Sequence, residues 1–392
     1  MSDISLCIGP GQHGQLLVEY LARRGSLRQV LKAHPFLSSV DYSGQVPIET
    51  RIRSFGIFQR CVWVAWRRVP FYGHLNTPNG LLMPIADKIL ARRLEKCDIF
   101  IGWQQLGYDT VARAKELGAW TIVEHPSVAA GTWMALIDEE YERWKHLTRG
   151  THAIFSARQI ERMQNECRRA DVVNVQSSFA QQSMFDLGLS REKVTVVPLG
   201  VDHQRFSPIN RHFQANERMK VLYVGRLELL KGVQYLLEAF TQIKTPEIEL
   251  HLVGPVLQEI QPILRTFADE RIFVHGHLEG PKLASVYRES DIFVFPSIND
   301  GFGMVILEAM ASGLPTIATV NTAAPDIISD GVDGFIVPIR DARALRDRIE
   351  RLLDDTELRS SIGLRARETI IANYTIGEYE RRLSKMLATI LS

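Results

Sequence analysis

Residues 295–313 read FPSINDGFGMVILEAMASG, and this stretch decides the fold. The apolar run Ile292–Phe295 is typical of a buried strand, and Pro296 ends it. A loop that contains glycine follows, and the pattern predicts a helix that begins near Gly303. In a parallel sheet this order points the helix N-terminus, with its free N–H groups and partial positive charge, at the carboxyl ends of the strands, where such folds bind ligands. A phosphate group fits that position.

Short apolar runs alternate with amphipathic stretches on both sides of this motif, as in a chain that forms parallel strands joined by helices. The predicted strands are Ile4–Ile8, Ile99–Ile101, Trp120–Val123, Val172–Val175, Val194–Val197, Val221–Val224, Ile248–Val253, Ile272–Val274, Ile292–Phe295 and Thr316–Ala318. The fold class is therefore α/β, with two Rossmann-like domains that face each other across a cleft.

The length of 392 residues is too great for one ordinary core and fits two domains. Between the two sets of strands, residues 198–208 contain two prolines and a glycine and follow neither the helix nor the strand period. We therefore predict a first domain over residues 1–197, a linker over 198–219 and a second domain over 220–372. An amphipathic helix, Glu378–Leu387, closes the chain.

Composition excludes several functional classes. Hydrophobic residues make up 45% of the chain and charged residues 23%, as in ordinary globular proteins, and the formal net charge of +1 argues against a dedicated nucleic-acid binder. Residues 1–200 hold 24 Lys and Arg against 19 Asp and Glu. The stretch Arg60–Tyr72 interleaves arginines with aromatic residues. It suits either a buried strand followed by a basic turn or peripheral contact with a membrane or a lipid-linked acceptor.

The four cysteines, Cys7, Cys61, Cys97 and Cys167, are widely spaced and do not form a zinc pattern. They are expected to be reduced thiols, most of them buried. The N-terminus has neither the basic region nor the long apolar region of a signal peptide, and no stretch reaches the length of a membrane span. We expect a cytoplasmic protein, with peripheral membrane contact as the alternative.

The segment Gly9–Gly14 fits the G-x-G-x-x-G pattern between a strand and a helix. One interpretation is a dinucleotide site for NAD or FAD, but the acidic residue that such a site needs about 20 residues later is missing from residues 30–34. A second interpretation is a tight structural turn. The third, which we favour, is a loop that brings the backbone at Gly11 close to the diphosphate of a donor.

Two cations and two acids in the second domain suit a nucleotide-diphospho-sugar. Arg226 and Lys231 follow the first strand of that domain and are placed to neutralise a diphosphate, unless they are ordinary surface cations. Asp300 and Glu308 flank the turn into the helix, and each carboxylate can accept hydrogen bonds from two neighbouring hydroxyls. The alternative is that Asp300 only caps the helix and that Glu308 is a solvated charge.

These segments together resemble the retaining GT-B glycosyltransferases of family 4, also described as glycosyl transferases group 1. The resemblance rests on Arg226 and Lys231 in one segment and on Asp300 and Glu308 in the next, and it is sharp over about residues 195–385. The linker at 198–208 and the segment Gly331–Pro338, taken as a turn, agree with it. The resemblance also implies that residues 373–392 pack on the first domain.

By this resemblance, Arg226 and Lys231 bind the donor diphosphate, Glu308 binds the ribose, and Asp300 contacts the donor sugar as a catalytic residue. The sugar and phosphate would be lined by the loop residues Gly301, Phe302, Gly303, Met304 and Val305. The family usually has Glu where this chain has Asp300, so the shorter side chain leaves the identity of the transferred sugar undetermined.

His125 is the second candidate catalytic residue, because it follows the strand Trp120–Val123 at the end that should face the cleft. A structural role is the alternative. His275 and His277 invite a metal interpretation, but they have no evident third ligand, and similar enzymes need no metal. The resemblance implies instead that the loop around Gly276 and Leu278 borders the nucleobase.

By this resemblance, we expect a metal-independent, retaining glycosyltransferase without a cofactor, which uses a nucleotide-diphospho-sugar as co-substrate and acts in polysaccharide or glycoconjugate biosynthesis. The acceptor is a glycan, a lipid-linked intermediate or a small molecule. A protein of the same fold that binds a nucleotide sugar or a partner without turnover is the alternative.

Overall fold

The computed structural model describes residues 3–8, 12–32, 51–54, 78–148, 155–209 and 218–391. Within these residues the strands form two sheets, and every strand pair is parallel. The first sheet contains β1 (Ile4–Ile8), β2 (Leu27–Lys32), β3 (Arg51–Ser54), β4 (Ile99–Trp103), β5 (Trp120–Glu124), β6 (Val172–Val175) and β7 (Val194–Val196). Its spatial order is β3-β2-β1-β4-β5-β6-β7.

The second sheet begins after the linker and has the spatial order β10-β9-β8-β11-β12-β13. Its strands are β8 (Met219–Val224), β9 (Ile248–Val253), β10 (Ile272–Gly276), β11 (Ile292–Phe295), β12 (Thr316–Thr319) and β13 (Phe335–Val337). In both sheets the order along the chain reverses at the first strand, which creates a crevice at the carboxyl ends of the strands.

Helices connect the strands in both parts of the chain. The helices that accompany the first sheet are α1 (Gln12–Arg23), α2 (Pro78–Arg93), α3 (Tyr108–Glu116), α4 (Ala130–Trp144), α5 (Ala157–Arg169) and α6 (Ser178–Asp186). With the second run α7 (Val233–Gln242), α8 (Gln261–Thr266), α9 (Gly280–Arg288), α10 (Met304–Ala311), α11 (Ala324–Ile327), α12 (Ala342–Asp354) and α13 (Thr356–Asn373), and α14 (Ile376–Leu391) ends the chain. We call β1–β7 with α1–α6 the first lobe and β8–β13 with α7–α13 the second lobe.

The central strands are buried along their whole length. All residues of β1, β4 and β11 are buried, because helices cover both faces of a parallel sheet. The strand β10 lies at the edge of the second sheet and is partly exposed. The near-continuous apolar runs of the sequence therefore correspond to central strands, and the α/β prediction with two Rossmann-like units is confirmed.

The predicted strands are all present, but the predicted turn at Gly331–Pro338 was wrong in part. Its second half is the three-residue strand β13, which pairs with β12. The strand β2 was not predicted, because Arg28 and Gln29 interrupt its apolar pattern, although the Gln29 side chain is buried. The domain boundaries at residues 197, 220 and 373 stay predictions.

The last helix, α14, lies against the first lobe. Tyr20 of α1 and Arg24, the residue after this helix, hydrogen-bond to the Ser384 hydroxyl, and Tyr379 of α14 packs edge-on against the His13 ring. The segment before α14 also pairs with the linker through a bridge between Val201 and Thr375.

Two sets of contacts join the lobes. Beside the cleft, the Ser177 hydroxyl donates to the Gly301 carbonyl at 2.6 Å, and a Cβ atom at Gly301 would lie only 2.4 Å from the Pro126 oxygen. Farther away, Glu140 of α4 is fully buried and accepts hydrogen bonds from Gln234 and Tyr235 of the second lobe. The lobes are therefore in direct contact around the cleft.

Candidate functional site

The loop from Pro296 to Gly303 places the N-terminus of α10 at the carboxyl end of β11. Gly303 takes the N-cap position with φ +85, a left-handed conformation that costs a residue with a Cβ about 1–2 kcal/mol. No side chain caps this end of the helix, so its first N–H groups lack a side-chain acceptor, and Met304 and Val305 line the cleft. These groups and the helix dipole favour an anion there.

Lys231 and Asp300 meet above this helix terminus. Lys231 ends a short 3₁₀ turn after β8, and its Nζ lies 2.8 Å from Asp300 Oδ2 and 3.1 Å from the Asn299 carbonyl oxygen. Burial alone would raise the pKa of Asp300, but the Lys231 ammonium and the N–H groups of Phe302 and Gly303 hold it below its ordinary value. The interpretation of Asp300 as a mere helix cap was therefore wrong, because no side chain caps α10 and the Asp300 carboxylate is paired with a cation.

Arg226 lies on the same side of the second lobe but has a different partner. Its Nη2 donates to Glu228 Oε1 at 2.8 Å, and its side chain is 60% exposed. Arg226, Glu228, Lys231 and Asn299 line a cavity of about 170 Å³ that adjoins the cleft. Arg226 is thus close to Lys231 along one continuous polar surface.

Glu308 is buried, so its interpretation as a solvated charge was wrong. Its Oε2 accepts a hydrogen bond from the Tyr287 hydroxyl at 2.8 Å, and only 5% of the residue is exposed. Burial raises the pKa of Glu308 to about 7, against the opposing effects of Tyr287 and Arg205. Near neutral pH this carboxyl group is poised between its two protonation states.

Two larger cavities meet at Met304, the first residue of α10. The cleft cavity, of about 350 Å³, is lined by Lys231, Asp300 and Phe302–Val305 of the second lobe and by His13, Trp103 and Gln176 of the first. The side cavity, of about 220 Å³, is lined by Glu308, Arg205, Asp202 and residues of α1. Met304 lines both, so the two cavities adjoin at the start of α10.

His125 follows β5, as predicted, but its ring is buried and only 1% of the residue is exposed. Its Nδ1 lies 2.9 Å from the Ser127 carbonyl oxygen, and burial lowers its pKa to about 4. The imidazole is therefore neutral near pH 7, which suits a hydrogen-bonding role better than a charged one.

The remaining predicted residues lie around this centre or outside the described part of the chain. Gly276 ends β10, and Leu278 packs against the core of the second lobe. Arg205, which lines the side cavity, donates to the Gly280 carbonyl at 3.2 Å, so the loop that contains Gly276 and Leu278 adjoins that cavity. Gly11 and the stretch Arg60–Tyr72 lie outside the described residues.

In the described ranges of the chain, no group of three or more His, Cys, Asp or Glu side chains could hold a metal ion. His275 instead faces His251, with Nε2 and Nδ1 2.9 Å apart. No described helix has the length and apolar content to cross a bilayer. The described cysteines Cys7, Cys97 and Cys167 are buried free thiols.

The structure also brings to the cleft residues that the sequence did not single out. His13, Trp103 and Gln176 lie after or near the carboxyl ends of β1, β4 and β6, and Tyr287 comes from α9 to meet Glu308. His13 falls inside the glycine motif and was the residue with a usable sequence signal. Trp103, Gln176 and Tyr287 are brought to the site by the order of the strands and the packing of the helices, which cannot be read directly from the sequence.

Comparison with known proteins agrees with this architecture. The structure of Anabaena Alr3699/HepE in complex with UDP and glucose superposes with a TM-score of 0.73, at 17% identity, over 99% of this chain and 100% of the other. Two Rossmann-like lobes around a cleft, arranged as in that structure, define the GT-B fold, and the prediction of this fold is confirmed.

The sequence comparisons cover part of the chain. The family model for glycosyl transferases group 1 matches residues 207–369, which lie mainly in the second lobe. The putative colanic acid biosynthesis glycosyltransferase WcaL of Salmonella typhimurium is 27% identical over 57% of this chain and 58% of its own length. The capsular polysaccharide biosynthesis glycosyltransferase CapM of Staphylococcus aureus is 27% identical over 56% of this chain and 62% of its length. The chain thus matches somewhat more than half the length of these relatives.

Proposed function

We propose that this protein is a glycosyltransferase that moves a sugar from a nucleotide-diphospho-sugar to an acceptor hydroxyl, with retention of the anomeric configuration. The observation that carries the proposal is the position of Lys231 over the uncapped N-terminus of α10 in the cleft cavity. A point charge and a row of N–H groups converge there, as a diphosphate leaving group requires.

The donor would lie across both cavities. Its diphosphate is assigned to Lys231, Arg226 and the N–H groups of α10, and its ribose to Glu308 in the side cavity. The transferred sugar is assigned to Asp300 and the loop Gly301–Val305. Relatives described as colanic acid and capsular polysaccharide biosynthesis glycosyltransferases, and a structural neighbour solved with UDP and glucose, support the proposal of a nucleotide-sugar donor and of a reaction in polysaccharide or glycoconjugate synthesis.

The transfer follows from what these groups do to charge. The two lobes close over the donor, exclude water and align the acceptor hydroxyl with the anomeric carbon. The cations and helix N–H groups stabilise the negative charge that grows on the departing diphosphate, so we assign the leaving-group role to protein charges and not to a metal ion. In a same-face route, an oxygen of the leaving phosphate takes the acceptor proton. Isolation of a covalent glycosyl-enzyme would contradict that route.

Calorimetric titration with UDP, GDP and ADP tests the donor site. Tight binding of one diphosphate is expected, and Lys231→Ala and Glu308→Ala should each weaken it by about tenfold or more, since each removes a charged hydrogen-bonding group. Lys244→Ala, which removes an exposed lysine elsewhere on the second lobe, is the matched control and should bind as the unchanged protein does.

Turnover then separates an enzyme from a binding protein. The diphosphate that binds best names the nucleotide of the sugar donors to be screened, with release of that diphosphate as the signal and EDTA as the test of metal independence. Failure of all three diphosphates to bind would contradict the proposed function. Binding without turnover on any donor would favour a non-catalytic role.

A further inference from the structure

Tyr287 is the hydrogen-bond partner that the fold supplies to Glu308. It lies in the last turn of α9, and its hydroxyl donates to Glu308 Oε2 at 2.8 Å. Tyr287 is fully buried and does not line the side cavity, whereas Glu308 does. Tyr287 is therefore placed to influence a ligand in that cavity through Glu308 and not by direct contact.

The Tyr287 ring is held between two other aromatic rings. Phe206 of the linker packs edge-on against it, with the ring centroids 5.5 Å apart and the planes at 89°. Phe293 of β11 lies on another side, with the centroids 5.7 Å apart, and both phenylalanines are buried. A ring packed in this way keeps one rotamer. The direction of the Tyr287 hydroxyl, and with it the position of Glu308 Oε2, is therefore fixed by the core of the second lobe.

The hydrogen bond from Tyr287 leaves room for a ligand on the same carboxylate. An ionised carboxylate has about four lone-pair sites on its two oxygens. Tyr287 uses one of these sites, on Oε2, and Glu308 lines the side cavity. Two neighbouring hydroxyls of a ribose can donate to the sites that remain.

The Tyr287 hydroxyl also opposes the effect of burial on Glu308. Burial raises the pKa of Glu308, while the hydrogen bond from Tyr287 and then the positive charge of Arg205 lower it, so that it lies at about 7. The other charged groups around the cavity and α10 come from three neighbouring elements: Glu19 of α1, Asp202 of the linker, and Arg367 of α13, whose guanidinium donates to a carbonyl oxygen at the C-terminal end of α10. A protonated Glu308 would accept hydrogen bonds from ribose hydroxyls less strongly than the carboxylate does.

We propose that Tyr287 is a positioning residue for donor binding, which holds the Glu308 carboxylate in place as the acceptor of the ribose hydroxyls. The proposal rests on the proposed function, which assigns the ribose of the donor to Glu308. Tyr287 itself touches no atom of the donor.

Calorimetry with two matched ligands tests this role. The first ligand is the nucleoside diphosphate that the titrations above select, and the second is its 2′,3′-dideoxy analogue, which keeps the base and the diphosphate but lacks both hydroxyls. At pH 7 the unchanged protein should bind the dideoxy ligand about tenfold more weakly. Tyr287→Phe keeps the ring between Phe206 and Phe293 and removes only the hydroxyl. It should weaken binding of the full diphosphate by about fivefold and of the dideoxy ligand by less than about twofold.

The pH dependence gives a readout that a purely structural role would not change. The quantity to follow is the ratio of the two affinities, because the diphosphate groups of both ligands titrate alike and cancel. In the unchanged protein this ratio should have its midpoint near pH 7. In Tyr287→Phe the midpoint should move upward by about one pH unit, since the charged form of Glu308 loses a hydrogen-bond donor.

Tyr235→Phe is the matched control. It removes a hydroxyl that donates at 3.0 Å to another buried glutamate, Glu140, and Tyr235 lines neither the cleft cavity nor the side cavity. This variant should keep both the preference for the full diphosphate and the midpoint. A second control places Tyr287→Phe in a Glu308→Gln background, where it should change affinity by less than about twofold, because its effect passes through the carboxylate.

Three results would overturn the role of Tyr287: equal weakening of both ligands by Tyr287→Phe, an unchanged midpoint, or a full effect of Tyr287→Phe in the Glu308→Gln background. If the unchanged protein bound the diphosphate and its dideoxy analogue equally well, the ribose role of Glu308 and this proposal would both fall, while the diphosphate site would stand. If no nucleoside diphosphate bound at all, the proposed function would fall as well.

Discussion

Lys231 Nζ lies 2.8 Å from Asp300 Oδ2, at the place where the donor diphosphate and its sugar are proposed to meet. The side chains are 17% and 24% exposed, so the pair is only partly screened by water. A phosphate that arrives at Lys231 must share the ammonium with Asp300. The two residues should therefore have opposite effects on diphosphate affinity, although both are needed for transfer.

The first prediction follows from this competition. Lys231→Met keeps the length of the side chain and should weaken diphosphate binding by about 10- to 100-fold, the value of a charge-assisted hydrogen bond. Asp300→Asn should tighten it by about two- to fivefold, because it removes a partly exposed ion pair. Both should lower kcat, since Asp300 is assigned to the transferred sugar. Calorimetry and steady-state kinetics measure the two effects. Weaker diphosphate binding by Asp300→Asn would show that Asp300 supports the phosphate site.

The second prediction concerns the contribution of Glu308 to the stability of the folded protein. A carboxyl group whose pKa is raised on folding adds stability that is present below its ordinary pKa of 4.5 and is lost as the pH rises through about 7. Glu308→Gln removes this loss of stability. The change that it causes in the free energy of unfolding should therefore be more favourable at pH 8 than at pH 5, by roughly 1–3 kcal/mol. Urea unfolding at both values measures it. Equal effects at the two pH values would contradict the assignment.

Glu308 should also make donor binding depend on pH. Ribose hydroxyls donate more strongly to a carboxylate than to a protonated carboxyl group, so diphosphate affinity should rise between pH 6 and pH 8. The diphosphate itself also titrates in this range. Glu308→Gln is the control, because its pH dependence comes from the diphosphate and not from residue 308. The difference between the two pH profiles should have its midpoint near pH 7. Parallel profiles would remove Glu308 from the ribose site.

Some elements and site residues could be predicted from the sequence, and others could not. The start of α10 was predictable, because Gly303 and the apolar run after it are local signals. The burial of Glu308 was not, because its partner Tyr287 comes from another helix. In the same way, β13 has three residues and gives too short a period to detect. The first lobe contributes His13, Trp103 and Gln176 to the cleft cavity, and the order of the strands in the sheet brings them together. Of these three, only His13 had a signal in the sequence, because it lies inside the glycine motif.

The third prediction tests the approach of the lobes at Gly301. A Cβ atom there would lie 2.4 Å from the Pro126 oxygen, which is far inside van der Waals contact. Gly301→Ala should therefore hold the lobes apart, lower kcat by about tenfold or more and change diphosphate affinity little, because Lys231 belongs to the second lobe alone. Small-angle scattering should show a larger radius of gyration.

Gly131→Ala is the control for that substitution. The nearest atom to a Cβ atom at Gly131 is Gln164 Nε2 at 3.8 Å, an ordinary contact, and the residue lies in helix α4. This variant should scatter and turn over as the unchanged protein does. If Gly301→Ala also shows no expansion and no loss of rate, the contact with Pro126 is not needed for the active arrangement.

The fourth prediction concerns Glu140, which joins the lobes on the side away from the cleft cavity. Its carboxylate accepts from Gln234 Nε2 at 2.9 Å and from the Tyr235 hydroxyl at 3.0 Å, and it pairs with the Arg340 guanidinium. Arg340 takes a left-handed backbone conformation, with φ +65, and its side chain is 14% exposed. Removal of the carboxylate leaves that cation with Glu139 as its one acidic partner among the described residues.

Glu140→Ala should therefore cost about 3 kcal/mol in the free energy of unfolding, because a buried charge loses its main partner. The double variant Glu140→Met with Arg340→Met should cost less than the sum of the single changes, since neither side then keeps an unpaired buried charge. Glu142→Ala, which removes an exposed acid of the same helix that pairs only with nearby Lys145, should change stability by less than about 0.5 kcal/mol. Urea unfolding measures each variant, the single variants Glu140→Met and Arg340→Met included. Additive costs in the double variant would mean that Glu140 and Arg340 act independently, and that hydrogen bonds to Gln234 and Tyr235 alone hold α4 against the second lobe.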